Sequence, residues 1–393
     1  MSFNSSEKSK HPPGLAVLFF TEMWERFGFY TMLAIFVLYL DEYFHFENVG
    51  QIYGLYLAFV YFTPILGGLI ADRLLGFRRT ITIGAVMMAI GYSMVALPIP
   101  ENPELEAQVR AAEKQHAIAM QNYKERYEAA RRRAQATNQA LQWDEREPRY
   151  TGPGRTARRV IFLLALIILV LGNGMFKPNI SVMVGNLYPE GSPLKDNAFN
   201  IFYMGINIGA LFAPLVAEGL RQTLGWSWAF GASAVGMAIS LSIFQIFRRH
   251  IIHAEIGHSS KSVVQAEDLS PKETKQRVTA LIIIFAIVIV FWMSFHQNGF
   301  TLTLWARDNT SKLFGIWQIP PGVFAAFNPL FVISLTPLVV LFWGWRRKKD
   351  KEPSTPGKIG IGMLLTAGAF LIMAVAGQAG GDYGRVSPWW LIS

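Results

Sequence analysis

"GLAVLFFTEMWERFGFYTMLAIFVLYL", residues 14–40, is a long apolar stretch with charged residues near its centre. A helix needs roughly 20 mostly apolar residues to cross the hydrocarbon core of a bilayer, and this stretch is long enough. Glu22, Glu25 and Arg26 interrupt it at positions that would lie inside the membrane. The stretch therefore predicts a membrane-spanning helix whose charged side chains face something other than lipid.

The rest of the chain repeats these long apolar blocks. Of its 393 residues, 52% are hydrophobic and only 16% are charged. Nine stretches are long enough to span a bilayer: 15–40, 51–75, 79–98, 159–186, 197–220, 226–247, 278–304, 313–345 and 359–376. A tenth begins at Trp389. The pattern predicts an all-α, multi-pass integral membrane protein.

The basic residues lie on one side of these predicted spans. With a cytoplasmic N-terminus, the inner loops contain the basic runs at 73–79, 248–249 and 346–351. This is the positive-inside asymmetry of short loops. It predicts a protein of the inner (plasma) membrane. The net charge of +9 is then explained by the basic inner loops, and nucleic-acid binding is not needed to explain it.

Two polar segments divide the chain. Residues 101–158 form an insert that is predicted to lie outside. Within it, Asn102 is predicted to cap an amphipathic helix or a folded-back pair of helices. The sequence TGPG, residues 151–154, is predicted to end this helical region. The insert is interpreted as a solvated extension, with partner binding as the alternative. Residues 248–276 are predicted to be a cytoplasmic linker. The predicted units are an N-terminal six-helix bundle (1–247), this linker, and an incomplete C-terminal bundle (277–393).

The charges of the first span share one helical face with two aromatic residues. Steps of three and four place these side chains together: Glu22, Glu25, Arg26, Phe29 and Tyr30. An ionised side chain at the bilayer centre costs roughly 3 kcal/mol, so such groups turn to a partner or a polar cavity. An internal ion pair that only orients the helix is the alternative.

Four further spans contribute polar residues. Span four contains Lys177 in "GNGMFKPNIS", where snorkelling toward the helix end is the alternative to a cavity. Span five contains Tyr203 and Asn207, and span seven reads "FWMSFHQNGF" with Trp292 and His296 one turn apart. In span eight, Asn328 precedes a proline interpreted as helix-breaking. So many polar groups predict a water-accessible cavity suited to a small zwitterion.

Several of these motifs resemble one family. "EMWERFGFY" resembles the E-x-x-E-R-F-x-Y-Y signature of the proton-dependent oligopeptide transporter family, a branch of the major facilitator superfamily. "GNGMFKPNIS" resembles its fourth-span lysine motif, and "NAFNIFYMGINIGALFAPL", "FWMSFHQNG" and "FNPLF" resemble its fifth, seventh and eighth spans. The resemblance implies two six-helix halves that take up di- and tripeptides by alternating access, driven by protons.

The resemblance also implies roles for individual residues. Glu22 and Glu25 would couple transport to protons. The substrate-binding residues would be Arg26, Tyr30, Tyr61, Lys177, Asn207, Trp292, His296 and Asn328. Arg26 and Lys177 would bind the carboxylate of the peptide, Trp292 would form one wall of the site, and Asn328 would face the amino end of the peptide. An arginine fork and a lysine point charge both suit a carboxylate.

Three features depart from the family pattern. Phe29 replaces the first tyrosine of the signature, and His296 replaces the acidic residue of span seven. A mostly neutral His296 is expected, which moves proton coupling toward Glu22 and Glu25. The chain also stops as span ten begins, so the sequence as given is expected to be truncated. We expect the intact parent to transport, and do not expect this fragment to do so.

Other functions remain as alternatives. A symporter of another small anion or of a modified peptide fits a site with fewer acids, and a nutrient receptor would bind without transporting. The sequence contains no nucleophile elbow, phosphate loop or metal-spaced histidine cluster, so it does not predict an enzyme. The sequence predicts no catalytic, metal-binding or cofactor-binding residues and no cofactor besides the proton as coupling ion. The expected partners are small peptides, protons and the lipid bilayer, around a monomer.

Overall fold

The computed structural model describes residues 10–98, 102–137, 141, 143–189, 191–255, 270–313, 315–380 and 385–392. Helices dominate this part of the chain. The helices are α1 (Pro13–Leu38), α2 (Val49–Ile70), α3 (Phe77–Ala96), α4 (Pro103–Ala136), α5 (Thr156–Asn186), α6 (Lys195–Leu224), α7 (Trp226–Ile246), α8 (Pro271–Phe295), α9 (Thr301–Asn309), α10 (Phe327–Arg347), α11 (Thr355–Gly380) and α12 (Trp389–Ile392).

Eight helical segments in the described part are long and apolar enough to cross a membrane. They are Val49–Leu75, Phe77–Ala96, Thr156–Asn186, Lys195–Leu224, Trp226–Ile246, Lys272–Asn309, Pro321–Arg347 and Thr355–Gly380. These correspond to the predicted spans two to nine. The first predicted span is α1, a 26-residue helix that contains the charged cluster. The prediction of an all-α integral membrane protein is confirmed.

Helices α1 to α7, without α4, pack into one bundle. Helix α1 lies against α6 and α7, while α3 lies against α5 and α7, and α2 against α5. One close approach depends on glycine: a Cβ atom on Gly67 of α2 would lie 2.0 Å from the carbonyl oxygen of Gly174 in α5. The two backbones therefore touch beside Lys177, and Asn179 Nδ2 donates to the Gly67 carbonyl at 3.2 Å.

The seventh predicted span is not continuous. It was expected to run from 278 to 304, but α8 ends at Phe295, a 3₁₀ turn occupies His296–Gly299, and α9 begins at Thr301. Asn298 and Gly299 are weak helix formers, which explains why the apolar pattern overestimated the helix. The break places His296 in a turn at the end of α8.

The eighth predicted span begins later than expected. The prediction started it at 313, but the chain enters a 3₁₀ turn at Pro321–Ala326 and α10 only at Phe327. Consecutive prolines at 320 and 321 exclude a helix interior there. The interpretation of Pro329 as helix-breaking is wrong, because it lies in the first turn of α10, where a missing N–H costs no helical hydrogen bond.

The polar insert forms a single 34-residue helix, α4. Asn102 caps it as predicted, with its side chain accepting from the Glu104 N–H at 3.0 Å. The helix ends at Ala136, so the predicted end at 151–154 is wrong, and the described residues between Ala136 and the start of α5 at Thr156 are not helical. Trp143 returns along α4 and packs its ring on Tyr123 and Tyr127, which explains the aromatic positions of the pattern.

The bundle has two ends, which we name after these segments. The insert side is the end where α4 lies; the linker side is the end with the 3₁₀ turns Arg248–His250 and Ile252–Glu255. Helix α8 begins at Pro271 with a capping box between Ser270 and Glu273, inside the segment predicted to be linker. Residues 256–269 of that linker lie outside the described residues, and the division into two halves stays a prediction.

Candidate substrate-binding site

A cavity of about 410 Å³ lies between the N-terminal bundle and α8, the turn after α8, and α10. All eight residues predicted to bind substrate line it: Arg26, Tyr30, Tyr61, Lys177, Asn207, Trp292, His296 and Asn328. They come from seven helices or turns along the chain. The structure thus brings the predicted set together at one place, although its role in binding stays a prediction.

The floor of the cavity is the charged cluster of α1. Arg26 donates to both carboxylate oxygens of Glu25, from Nε at 2.5 Å and from Nη2 at 2.6 Å. Glu22 Oε1 lies 3.3 Å from the Arg26 Nε atom. All three side chains are buried, but only Arg26 reaches the cavity. The second oxygen of Glu22 has no hydrogen-bond partner among the described residues.

Close packing fixes this cluster in position. A Cβ atom on Gly209 of α6 would lie 2.4 Å from the carbonyl oxygen of Met23, so α6 and α1 touch backbone to backbone one turn from Arg26. The Phe29 ring lies under the guanidinium, with Arg26 Cζ 4.8 Å from its centroid. Phe29, which lacks the hydroxyl of the family signature, therefore packs against the cation as an aromatic face.

Lys177 enters the cavity from α5 without an acidic partner. Its Nζ atom lies 5.6 Å from the centroid of the Tyr61 ring. No hydrogen bond or ion pair of this ammonium occurs within the described residues. A cation of this kind is free to receive an anionic group of a ligand.

The opposite wall is aromatic. The His296 and Trp292 rings stack with centroids 5.5 Å apart and an interplanar angle of 26°. Tyr61 of α2 meets His296 at 5.5 Å and Trp292 at 6.2 Å. These three rings bring α2 and the end of α8 together beside Lys177, and the tilt of Tyr61 by 44° to 56° makes them an angled aromatic surface that a side chain of a ligand can contact.

Further lining residues were not predicted. Tyr53, Leu57 and Tyr61 follow one another at steps of four on α2, so the position of Tyr61 could have indicated the other two. Asn298 lies in the turn after α8. The break in that helix, which the apolar pattern hid, is what turns it toward the cavity.

An ionic network closes the cavity on the insert side. Arg307 of α9 pairs with Asp41 at 2.5 Å and with Glu42 at 3.3 Å, both just beyond α1. Buried Glu218 of α6 accepts from the Gly322 N–H at 2.8 Å and from Arg221 Nε at 2.8 Å. Sequence reasoning missed these residues because charges near span ends are ordinary.

Comparison with known proteins identifies the family. The model of the POT family matches residues 78–267 and 258–393. The chain belongs to the POT family. This confirms the resemblance found in the sequence motifs, and several POT proteins are similar over nearly the whole chain.

Two POT relatives and one structure illustrate the likeness. The "Di-/tripeptide transporter" of Lactococcus lactis subsp. cremoris is 28% identical, over 100% of this chain and 81% of its own length. "Peptide transporter YePEPT" of Yersinia enterocolitica is 26% identical, over 97% and 77%. A crystal structure of a mutant peptide transporter POT in complex with sulfate is 26% identical, with a TM-score of 0.68 over 97% of this chain and 78% of that one. The fold is that of the POT transporters in the major facilitator superfamily.

Proposed function

We propose that the protein is a proton-coupled symporter that takes up di- and tripeptides by alternating access. The observation that carries the proposal is the cavity in which Arg26 and Lys177 face an aromatic wall from the other half. A free ammonium and an arginine suit the carboxylate of a peptide, and the amides of Asn207 and Asn328 suit its amino end and backbone. Relatives named peptide transporters support the same substrate class.

Charge balance supports coupling to protons. Arg26 and Lys177 carry two positive charges, and ionised Glu22 and Glu25 carry two negative ones. A peptide carboxylate adds a further negative charge to a site with little water, where uncompensated charge is costly. A proton on Glu22 restores the balance, and its partnerless oxygen can accept one without breaking a hydrogen bond. Peptide and proton would therefore favour each other's binding.

The ionic network suits alternating access. The contacts of Arg307 and Glu218 join the two halves on the insert side, while residues 272–287, the part of α8 nearest the linker, are exposed. We assign the insert side to the outside of the plasma membrane and the N-terminus to the cytoplasm, on the distribution of basic loops. This arrangement corresponds to an inward-facing carrier, which we propose acts as a monomer in transport and not as an enzyme.

The test is uptake of dialanine by the full-length protein in liposomes with an inward proton gradient. Glu22→Gln should abolish accumulation driven by the gradient while leaving exchange of internal for external dialanine. Lys177→Ala should weaken dialanine affinity about tenfold to a hundredfold, since it removes a charge-assisted contact.

Matched controls on the surface of α4 are Glu125→Gln and Lys114→Ala, which should leave both measurements unchanged. Competition by nitrate or a simple organic acid, but not by dipeptides, would replace the peptide proposal with an anion carrier. Saturable binding of dialanine without uptake would instead indicate a receptor.

A further inference from the structure

A second cavity lies on the insert side, apart from the central one. This groove has a volume of about 570 Å³ and is lined by the ends of α3 and α6, the starts of α5 and α7, one residue of α4 and the turn after α1. It shares no lining residue with the central cavity. Proton-coupled peptide uptake as described above makes no use of it.

Two arginines supply the charge of the groove. Arg110 of α4 is exposed and makes no hydrogen bond or ion pair within the described residues. Arg158 of α5 lies 3.6 Å from Glu106 Oε1, an oxygen that also lies 3.3 Å from Arg155 Nε. Arg155 also pairs with Glu113 at 2.9 Å, so Glu106 and Glu113 balance Arg155 and Arg158. No acidic residue lines the groove itself, and Arg110 therefore gives it one positive charge that no described acid balances.

The walls of the groove are aromatic. The Tyr39 ring packs against Phe162 with centroids 5.4 Å apart and against Trp226 at 5.0 Å. The Arg158 guanidinium lies 5.6 Å from the centroid of the Tyr43 ring. Such walls favour a ligand with an apolar part next to its anionic group.

The rim of the groove faces the lipid. Leu97 at the end of α3, Leu224 at the end of α6 and Trp228 at the start of α7 are 60%, 55% and 62% exposed. These positions lie where the spans leave the hydrocarbon core, and tryptophan is enriched at that level because its ring suits the boundary with the headgroups. A molecule in the groove can therefore extend an apolar tail into the membrane without leaving the two arginines.

We propose that this groove binds one anionic phospholipid, with its phosphate between Arg110 and Arg158 and its acyl chains beside Leu97 and Trp228. Charge complementarity and the lipid-facing rim select this occupant over a soluble one. The bound lipid joins α4 to the end of α3 and to the starts of α5 and α7. It thereby stabilises the N-terminal bundle on the insert side.

The experiment titrates detergent-purified full-length protein with phosphatidylglycerol and counts bound lipids by native mass spectrometry. Phosphatidylcholine with the same acyl chains tests the need for a net negative charge. Because each arginine near a membrane contributes about 1 kcal/mol to binding an anionic lipid, R110Q should weaken phosphatidylglycerol binding about fivefold and R110Q/R158Q about thirtyfold. Phosphatidylglycerol should also raise the melting temperature of the unsubstituted protein more than that of the double variant.

The control is R132Q, which removes an exposed arginine from the same helix and should leave binding unchanged. Arg110 has no hydrogen-bond or ion-pair partner among the described residues, so R110Q tests the proposal even if the double variant does not fold. Equal retention of the two lipids, or equal losses in R110Q and R132Q, would overturn the proposal. Displacement of phosphatidylglycerol by inorganic phosphate at a similar concentration would also overturn the proposal, since the groove would then be a site for free anions.

Discussion

The two halves of the protein use their apolar residues in different ways. In the N-terminal bundle, large side chains such as Phe36, Tyr92 and Phe176 are completely buried between helices. In α11 of the C-terminal half, Leu364 and Leu365 are 75% and 72% exposed. Lipid tails are as apolar as leucine, so such exposed faces are stable in a membrane. Among the described residues, the N-terminal bundle buries many large side chains completely, whereas the buried residues of α11 are the small Ala376 and Gly380.

This difference assigns different tasks to the halves. The charged residues of the cavity, Arg26 and Lys177 with the buried glutamates behind Arg26, all belong to the closely packed half. The other half contributes Trp292, His296 and Asn328, and joins the first through the polar contacts of Arg307 and Gly322. A carrier that works by alternating access needs such an arrangement, in which the charges stay on one half and the facing wall belongs to the other.

The strongest test of the contrast is a matched pair of glycine substitutions. Gly67→Leu would force a side chain into the Gly174 carbonyl, whereas a Cβ atom on Gly377 of α11 meets nothing within 4 Å. We expect Gly67→Leu to lower the free energy of unfolding by about 3 kcal/mol or more, and Gly377→Leu to leave it unchanged or slightly higher. Thermal unfolding in detergent measures both. Equal losses would show that the halves are packed alike.

The next test separates the halves on the insert side. Arg307→Gln removes the ion pairs with Asp41 and Glu42, which are partly exposed and are each worth about 1 kcal/mol. We expect the insert side to open, so that a cysteine placed at Ala34 reacts on the order of tenfold faster with a reagent supplied from that side. The chain has no native cysteine, which makes the label specific.

The control for this test is Arg126→Gln. Arg126 lies on α4, and the substitution breaks its exposed ion pair with Glu145. It should not change the labelling rate. Unchanged labelling in Arg307→Gln would mean that the network does not hold the halves together.

The sequence predicted the N-terminal half better than the C-terminal one. The charges of α1 and Lys177 could be found because ionised groups are rare in apolar stretches, and their helical spacing fixed which face they share. The break at His296–Gly299 could not be found, because the apolar pattern continues through it and only Asn298 and Gly299 oppose a helix. The Arg307 network was also missed, since the long-range partner of a residue at a span end depends on how the halves dock.

The insert gives a smaller test, because it contacts both halves. Arg131 Nη1 of α4 donates to the Gly380 carbonyl at the end of α11 at 2.6 Å. Arg131→Gln should favour opening of the insert side by about threefold, less than Arg307→Gln, because it removes one partly exposed contact to α11 while its other partner, Glu128, lies within α4. The same Ala34 cysteine reports the opening, with Arg132→Gln as the neighbouring control. An effect as large as that of Arg307→Gln would make the insert the main latch between the halves.

The smallest expected effect concerns the joint between the insert and α1. His45 stacks on Tyr150 with centroids 4.1 Å apart, and Glu113 lies 3.4 Å from its Nε2 atom, with His116 and Arg155 also nearby. Burial lowers the pKa of His45, more than the Glu113 carboxylate raises it. Unfolding therefore takes up a proton just below the ordinary histidine pKa of about 6.5, so this part of the stability is present above that pH and is lost as the pH falls.

We expect the melting temperature of the protein to fall slightly as the pH drops below about 6.5, and this slope to become shallower in His45→Asn. Asparagine tolerates the φ of 52° at this position, so the backbone need not change. His11→Asn, on the linker side of the same bundle, is the control and should keep the slope. A steeper slope in His45→Asn would mean that the Glu113 carboxylate outweighs burial, and that the joint tightens when His45 is protonated.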